Sequence, residues 1–168
     1  MIRIGIVGDI GSGKSFVAHK FGYPVFNADL EVSKLYKFDK ICFKKLNKVL
    51  PKHILNFPIT KNQIISAILE NNINLRKIIK IIHPLIRKKM KKFLNKNKNK
   101  KVVILDIPLL LENKINTKKD IIVFVDSKKK EITKRLKKRD NFNLKLVNKF
   151  RKIQLSLEYK RKKSQFVI

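Results

Sequence analysis

The segment GDIGSGKS, residues 8–15, spaces Gly8, Gly13, Lys14 and Ser15 as G-x4-G-K-S, directly after the apolar run IRIGIV. Glycines at 8, 11 and 13 admit backbone conformations closed to residues with a Cβ. Successive N–H groups then turn inward and make an anion nest at a helix N-terminus. In that arrangement Lys14 reaches the β- and γ-phosphates of a nucleotide as a point charge, and Ser15 offers its hydroxyl to Mg²⁺. An apolar strand pattern before the loop and a helical pattern after it favour this reading over a glycine-rich turn without chemistry. Taken alone, the motif fits a nucleotide-hydrolysing switch as well as a phosphotransferase.

Carboxylates bear on that choice. Asp29 closes VFNAD (25–29), just after a second short strand pattern. In a parallel sheet, loops at one edge meet near the phosphate site. An Asp there can take the proton of an attacking hydroxyl while a γ-phosphoryl group moves. It can equally cap the helix that follows, a role also open to Asn27. Asp106 ends VVILD, as a Walker-B strand ends in its carboxylate. It either holds Mg²⁺, directly or through water, or ties down the phosphate loop by hydrogen bonds. Asp126, ending IIVFVD, is expected to cap the next helix.

Arg135 and Arg139 lie four apart in RLKKRD and share a helix face. The chain holds 35 lysines and only 7 arginines. An arginine kept in such a chain points to planar, bidentate contact with phosphate. A surface pair with Glu131 or Asp140 is the alternative. His83 and Arg87, in IHPLIR, are one helical turn apart, so both can face one ligand. A structural hydrogen-bonding role for His83 is the competing reading. His19 and His53 have no ligand spacing around them, and neither a zinc site nor a Ser-His-Asp or Cys-His arrangement emerges.

The elements that must position these groups alternate. Residues 2–7, 25–26, 102–106, 121–126 and 166–168 read as strands. Helices are expected over 14–21, 29–36, 39–49, from a Thr60–Gln63 capping box onward, over 74–94, 128–139 and 143–163. The 74–94 stretch is one long helix or a pair bent near Pro84. Strands alternating with helices imply an α/β fold, a parallel sheet wrapped by helices.

Composition bounds the remainder. The 168 residues are 43% hydrophobic, enough for one cored domain. A single cysteine, Cys42, excludes an internal disulfide, and no apolar run reaches membrane-span length. A cytoplasmic protein with no membrane partner is expected. The formal charge is +30. Lysine spread along the chain reads as solvated faces, and the scarcity of arginine argues against base readout. Attraction to small, highly charged anions should still follow.

Together these residues resemble the dephospho-CoA kinase family. The matching pieces are GDIGSGKS (8–15), VFNAD (25–29), IHPLIR (82–87), LDIPLLLE (105–112), VFVDS (123–127), RLKKRD (135–140) and Gln154 with Glu158. The resemblance implies a phosphate-loop core (about 1–29, 100–126 and 165–168), a helical substrate-binding part (about 30–95) and a small helical lid (about 128–163). It implies ATP and Mg²⁺ as cofactors and dephospho-CoA as the small-molecule substrate; a monomer without specific nucleic-acid binding is expected, with an oligomer left open. Asp29 aligns with the catalytic base, and Gly11, Ser12, Gly13, Lys14, Ser15 and Phe16 with the ATP-binding segment. His83, Arg87 and Asp106 fall on the substrate side, and Arg139 with Arg135 in the lid. A nucleoside monophosphate kinase, or a basic nucleic-acid-binding protein with a vestigial nucleotide site, are the rival classes.

The chain departs from the family pattern at several places. Asp9 stands where a glycine is usual, Phe16 where threonine is usual, and Asn27 for the first Asp of D-A-D. Leu157 replaces an expected lid arginine, and Ser164-Gln165 an Ala-Asp pair. The family pattern runs on past Val-Ile into a D-N-x-G-like segment near the adenine, whereas Ile168 ends this sequence. On that pattern, base recognition is weakened or completed by other loops. A carboxylate at position 9 should repel ATP unless it points away or binds Mg²⁺ through water.

Overall fold

The computed structural model describes residues 1–138 and 142–168. Five strands form one sheet: β1 (Ile2–Gly8), β2 (Val25–Asn27), β3 (Val102–Asp106), β4 (Ile121–Val125) and β5 (Phe166–Val167). Eight helices are described: α1 (Lys14–Lys20), α2 (Ala28–Phe38), α3 (Lys40–Val49), α4 (Lys61–Glu70), α5 (Asn72–Lys96), α6 (Lys129–Lys137), α7 (Leu144–Lys152) and α8 (Leu157–Lys162). The chain divides into two compact units, Met1–Asn27 with Phe93–Ile168, and Ala28–Lys92.

The first unit holds the sheet, in the order β2-β3-β1-β4-β5, with every pairing parallel. β1, β3 and β4 are the continuous apolar runs of the sequence, and each ends in four buried residues. Strands covered on both faces need that continuity, because neither face can be polar. Ile6, Ile104, Val123 and Val125 pack with Ala18 of α1, flanked by Val17 and Phe21. Each fully buried isoleucine side chain contributes about 1.5–3 kcal/mol. The close fit is tightest at Gly5, where a Cβ would come 2.3 Å from Leu110 Cδ2. Because all strands run one way, Gly8, Asn27, Asp106 and Val125 lie at the same sheet edge.

The helix expected over 143–163 is two helices. Asn143 caps α7, its Oδ1 accepting from Leu146 N at 3.0 Å, and Ser156 caps α8, accepting from Tyr159 N at 3.1 Å. Between them Leu155 N donates to Glu112 Oε1, 3.1 Å away, instead of to a helical carbonyl. Glu112 also pairs with Lys160 at 2.8 Å, and Lys160, 1% exposed, donates to Gln154 Oε1. The buried charge must be paired, and the break in the helix lets it be.

The second unit is helical. Leu35, Leu46, Ile54, Ala67, Ile78 and Ile82 are among its buried residues. Thr60 and Gln63 form the expected capping box on α4. Asp39 caps α3 through Cys42 N. The 74–94 pattern is one helix, α5, with Pro84 inside it. Pro84 is exposed and cannot donate, yet the buried row of Ile78, Ile82 and Ile86 continues across it. Among the described residues, no helix is long and apolar enough to cross a membrane.

Candidate active site

The glycine loop joins β1 to α1 at the C-terminal edge of the sheet. Gly8 turns the chain with φ 149°, and a Cβ there would meet Val125 O at 2.6 Å. Gly13 is the N-cap of α1, left-handed at φ 98°, and offers no side-chain cap. Lys14 Nζ donates to Asp9 O at 2.7 Å and to Gly8 O at 3.4 Å. The ammonium is therefore held over the loop itself. Ser12 is buried, and its Oγ has no hydrogen-bond partner among the described residues. Ser15 and Phe16 are exposed on the first turn of α1.

Arg135 of α6 donates to Ser12 O at 3.0 Å and to Ser127 Oγ at 3.2 Å, and Ser127 Oγ donates to Ser12 O at 2.8 Å. The surface pair with Glu131 does not form. Arg139, the second arginine of RLKKRD, and Asp140 lie outside the described residues. Asp126 does not cap α6. Its Oδ1 accepts from Ser127 N, and its Oδ2 accepts from Arg161 at 2.8 Å, while Lys128 takes the cap position without a side-chain bond.

Asp106 is 3% exposed and stands in register with Ile6 on one side and Asn27 on the other. Asn27 Nδ2 donates to Asp106 Oδ2 at 2.7 Å. Ser15 offers a hydroxyl and Asp106 a carboxylate, both oxygen donors. Such donors fit Mg²⁺, which keeps several waters and takes substrate phosphate oxygens. Among the described residues, no group of three or more His, Cys, Asp and Glu gathers to hold a metal.

Asp29, His83 and Arg87 belong to the second unit. Asp29 is exposed on the first turn of α2, as the second residue of the helix. Asp29 therefore lies inside the helix and not at its cap position. His83 is half-buried on α5, with Arg87 exposed one turn on. Burial, then the Arg87 charge, hold the His83 imidazole below its ordinary value, so it is neutral near neutral pH.

Two residues of the loop region escaped the sequence reading as partners. Arg151 of α7 pairs with Asp9, Nη2 to Oδ2 at 3.0 Å and Nε to Oδ1 at 3.5 Å. Asp9 Oδ1 also accepts from Ile10 N at 2.7 Å. The signal was present: arginine is scarce, and that argument, applied to Arg135 and Arg139, covers Arg151 equally.

A central parallel strand running into a glycine-rich loop that opens a helix, with basic helices returning to the same loop, is the construction of the phosphate-loop kinases. The family model for dephospho-CoA kinase (CoaE) matches residues 2–168. The chain is 36% identical to the dephospho-CoA kinase of Wolbachia pipientis wMel, covering 98% of this chain and 87% of that protein. It is 34% identical to the Rickettsia prowazekii dephospho-CoA kinase, covering 100% and 87%. Among solved structures, TT1252 from Thermus thermophilus superposes with a TM-score of 0.79 at 26% identity, over 99% of this chain and 86% of that one. The chain belongs to the dephospho-CoA kinase family, whose members are ATP-dependent kinases.

Proposed function

We propose that this chain transfers the γ-phosphoryl group of ATP to the ribose 3′-hydroxyl of dephospho-CoA. The observation that carries the reading is the family match over residues 2–168, on a chain that keeps Lys14, Asp29 and the His83–Arg87 segment. Gly8 and the Gly11–Phe16 segment bind the triphosphate, with Lys14 moving from the loop carbonyls to the β- and γ-phosphates. Ser15 and Asp106 would hold Mg²⁺, which neutralises phosphate charge when bound. Asp29 accepts the proton of the attacking 3′-hydroxyl. An exposed carboxylate suits that role, since the acceptor must reach it. His83 and Arg87 receive the CoA portion, with the neutral imidazole acting as a hydrogen-bonding group and the guanidinium as an anion partner. Arg135 and Arg139 act in a lid over 128–163 that excludes water, which would otherwise compete for the phosphoryl group.

The test is incubation of the full chain with Mg-ATP and a panel of acceptors: dephospho-CoA, nucleoside monophosphates and no acceptor. Product phosphorylated at the 3′ position from dephospho-CoA alone supports the reading. Phosphorylation of a nucleoside monophosphate in preference would replace it with the rival kinase class. Nucleic-acid binding, measured alongside, should collapse as salt rises.

A further inference from the structure

Asp9 places a carboxylate at the second position of a loop that must take a polyphosphate. Its side chain is 16% exposed, so solvent screens it only in part. Its backbone carbonyl accepts from Lys14 Nζ and from Ser12 N, while its carboxylate accepts from Ile10 N and from Arg151. One residue thus joins the loop, the loop lysine and α7. The Arg151 contact spans 142 positions of sequence and uses two nitrogens of the guanidinium on both carboxylate oxygens.

We propose that Arg151 is a positioning residue that cancels the charge of Asp9 and fixes α7 to the phosphate loop, so that the loop remains an anion site. It acts through Asp9 and does not contact phosphate. The inference rests on the nucleotide-binding reading above and adds to it why a carboxylate is tolerated at position 9. An uncompensated carboxylate within several ångströms of a triphosphate repels it strongly where water is partly excluded. A fork held on the carboxylate removes that repulsion without occupying the nest.

The test is a four-protein cycle on the full chain: wild type, D9N, Arg151→Met and D9N with Arg151→Met. Methionine keeps an unbranched stem and removes the charge. The readout is Mg-ATP affinity by calorimetry, with KM for ATP and kcat measured separately where turnover is seen, and a melting curve for each protein. Arg151→Met should weaken ATP binding about tenfold, a loss felt in KM more than in kcat. D9N should bind ATP at least as tightly as wild type. The double variant should bind within about twofold of D9N, because neutralising Asp9 makes Arg151 dispensable.

Unchanged binding in Arg151→Met overturns the proposal. So does a double variant as weak as Arg151→Met, which would mean that Arg151 holds phosphate itself or only supports the fold. If Arg151→Met melts below the assay temperature, Arg151→Lys replaces it, with a smaller loss and the same rescue by D9N expected. A wild-type chain that binds ATP but phosphorylates nothing would overturn the kinase reading and leave the result of the cycle intact. Absence of ATP binding in all four proteins overturns both.

Discussion

Asn27 Nδ2 donates to Asp106 Oδ2 at 2.7 Å, joining the ends of two neighbouring strands at the sheet edge. Asp106 is nearly inaccessible to water, so the amide donor replaces solvent it has lost. Asn27→Asp turns the donor into a second carboxylate. In metal-free buffer it should cost about 1–3 kcal/mol of stability, read by chemical denaturation. An unchanged midpoint would show that the contact stabilises nothing.

Lys14 has its ammonium on the carbonyls of Asp9 and Gly8. Lys14→Met keeps much of the stem and removes the charge proposed to meet the transferring phosphate. It should lower kcat/KM for ATP by about 10²–10³, the loss typical of one preorganised electrostatic group. The melting temperature should stay close to wild type. Turnover near that of wild type would remove Lys14 from the mechanism.

His83 carries a pH dependence of definite sign. Its folded-state value is lowered by burial and by Arg87, so the unfolded chain binds the proton more readily. The stability it contributes is present above the ordinary imidazole value and is lost as pH falls through the depressed one. Denaturation midpoints measured from about pH 7 down to about pH 5 should therefore fall, and less steeply in His83→Asn. Equal slopes would contradict the assignment.

Cys42 is fully buried, and its thiol is pushed up to about 11, first by burial and then by Asp39. Thiolate, the reactive form, is scarce at assay pH. The native chain should not react with a chromogenic disulfide over the time in which the denatured chain reacts completely. Rapid native labelling would mean that the Cys42 environment opens.

What could be read in advance follows a physical divide. β1, β3 and β4 were legible because strands covered on both faces must be continuous apolar runs. The Gly8–Ser15 loop was legible as a strand-to-helix turn because positive φ at 8, 11 and 13 fixes glycines at short spacing. Asn143 and Thr60 were legible as caps, since a cap acts over three residues. The Asp9–Arg151 pair was not, because no local pattern joins residues 142 positions apart. The break between α7 and α8 was hidden for the same reason. It serves Lys160 and Glu112, which meet only after folding. Asp126 looked like a cap from its place after a strand, yet Arg161, far along the chain, has its Oδ2.

The most direct measurement compares wild type with Asp29→Asn in one assay of Mg-ATP binding and of phosphoryl transfer to dephospho-CoA. The expected result is 3′-phosphorylated product from wild type, equal ATP affinity in both, and turnover about 10²–10⁴ lower in Asp29→Asn. Folded wild-type chain that yields no such product, or Asp29→Asn that turns over as fast as wild type, would contradict it.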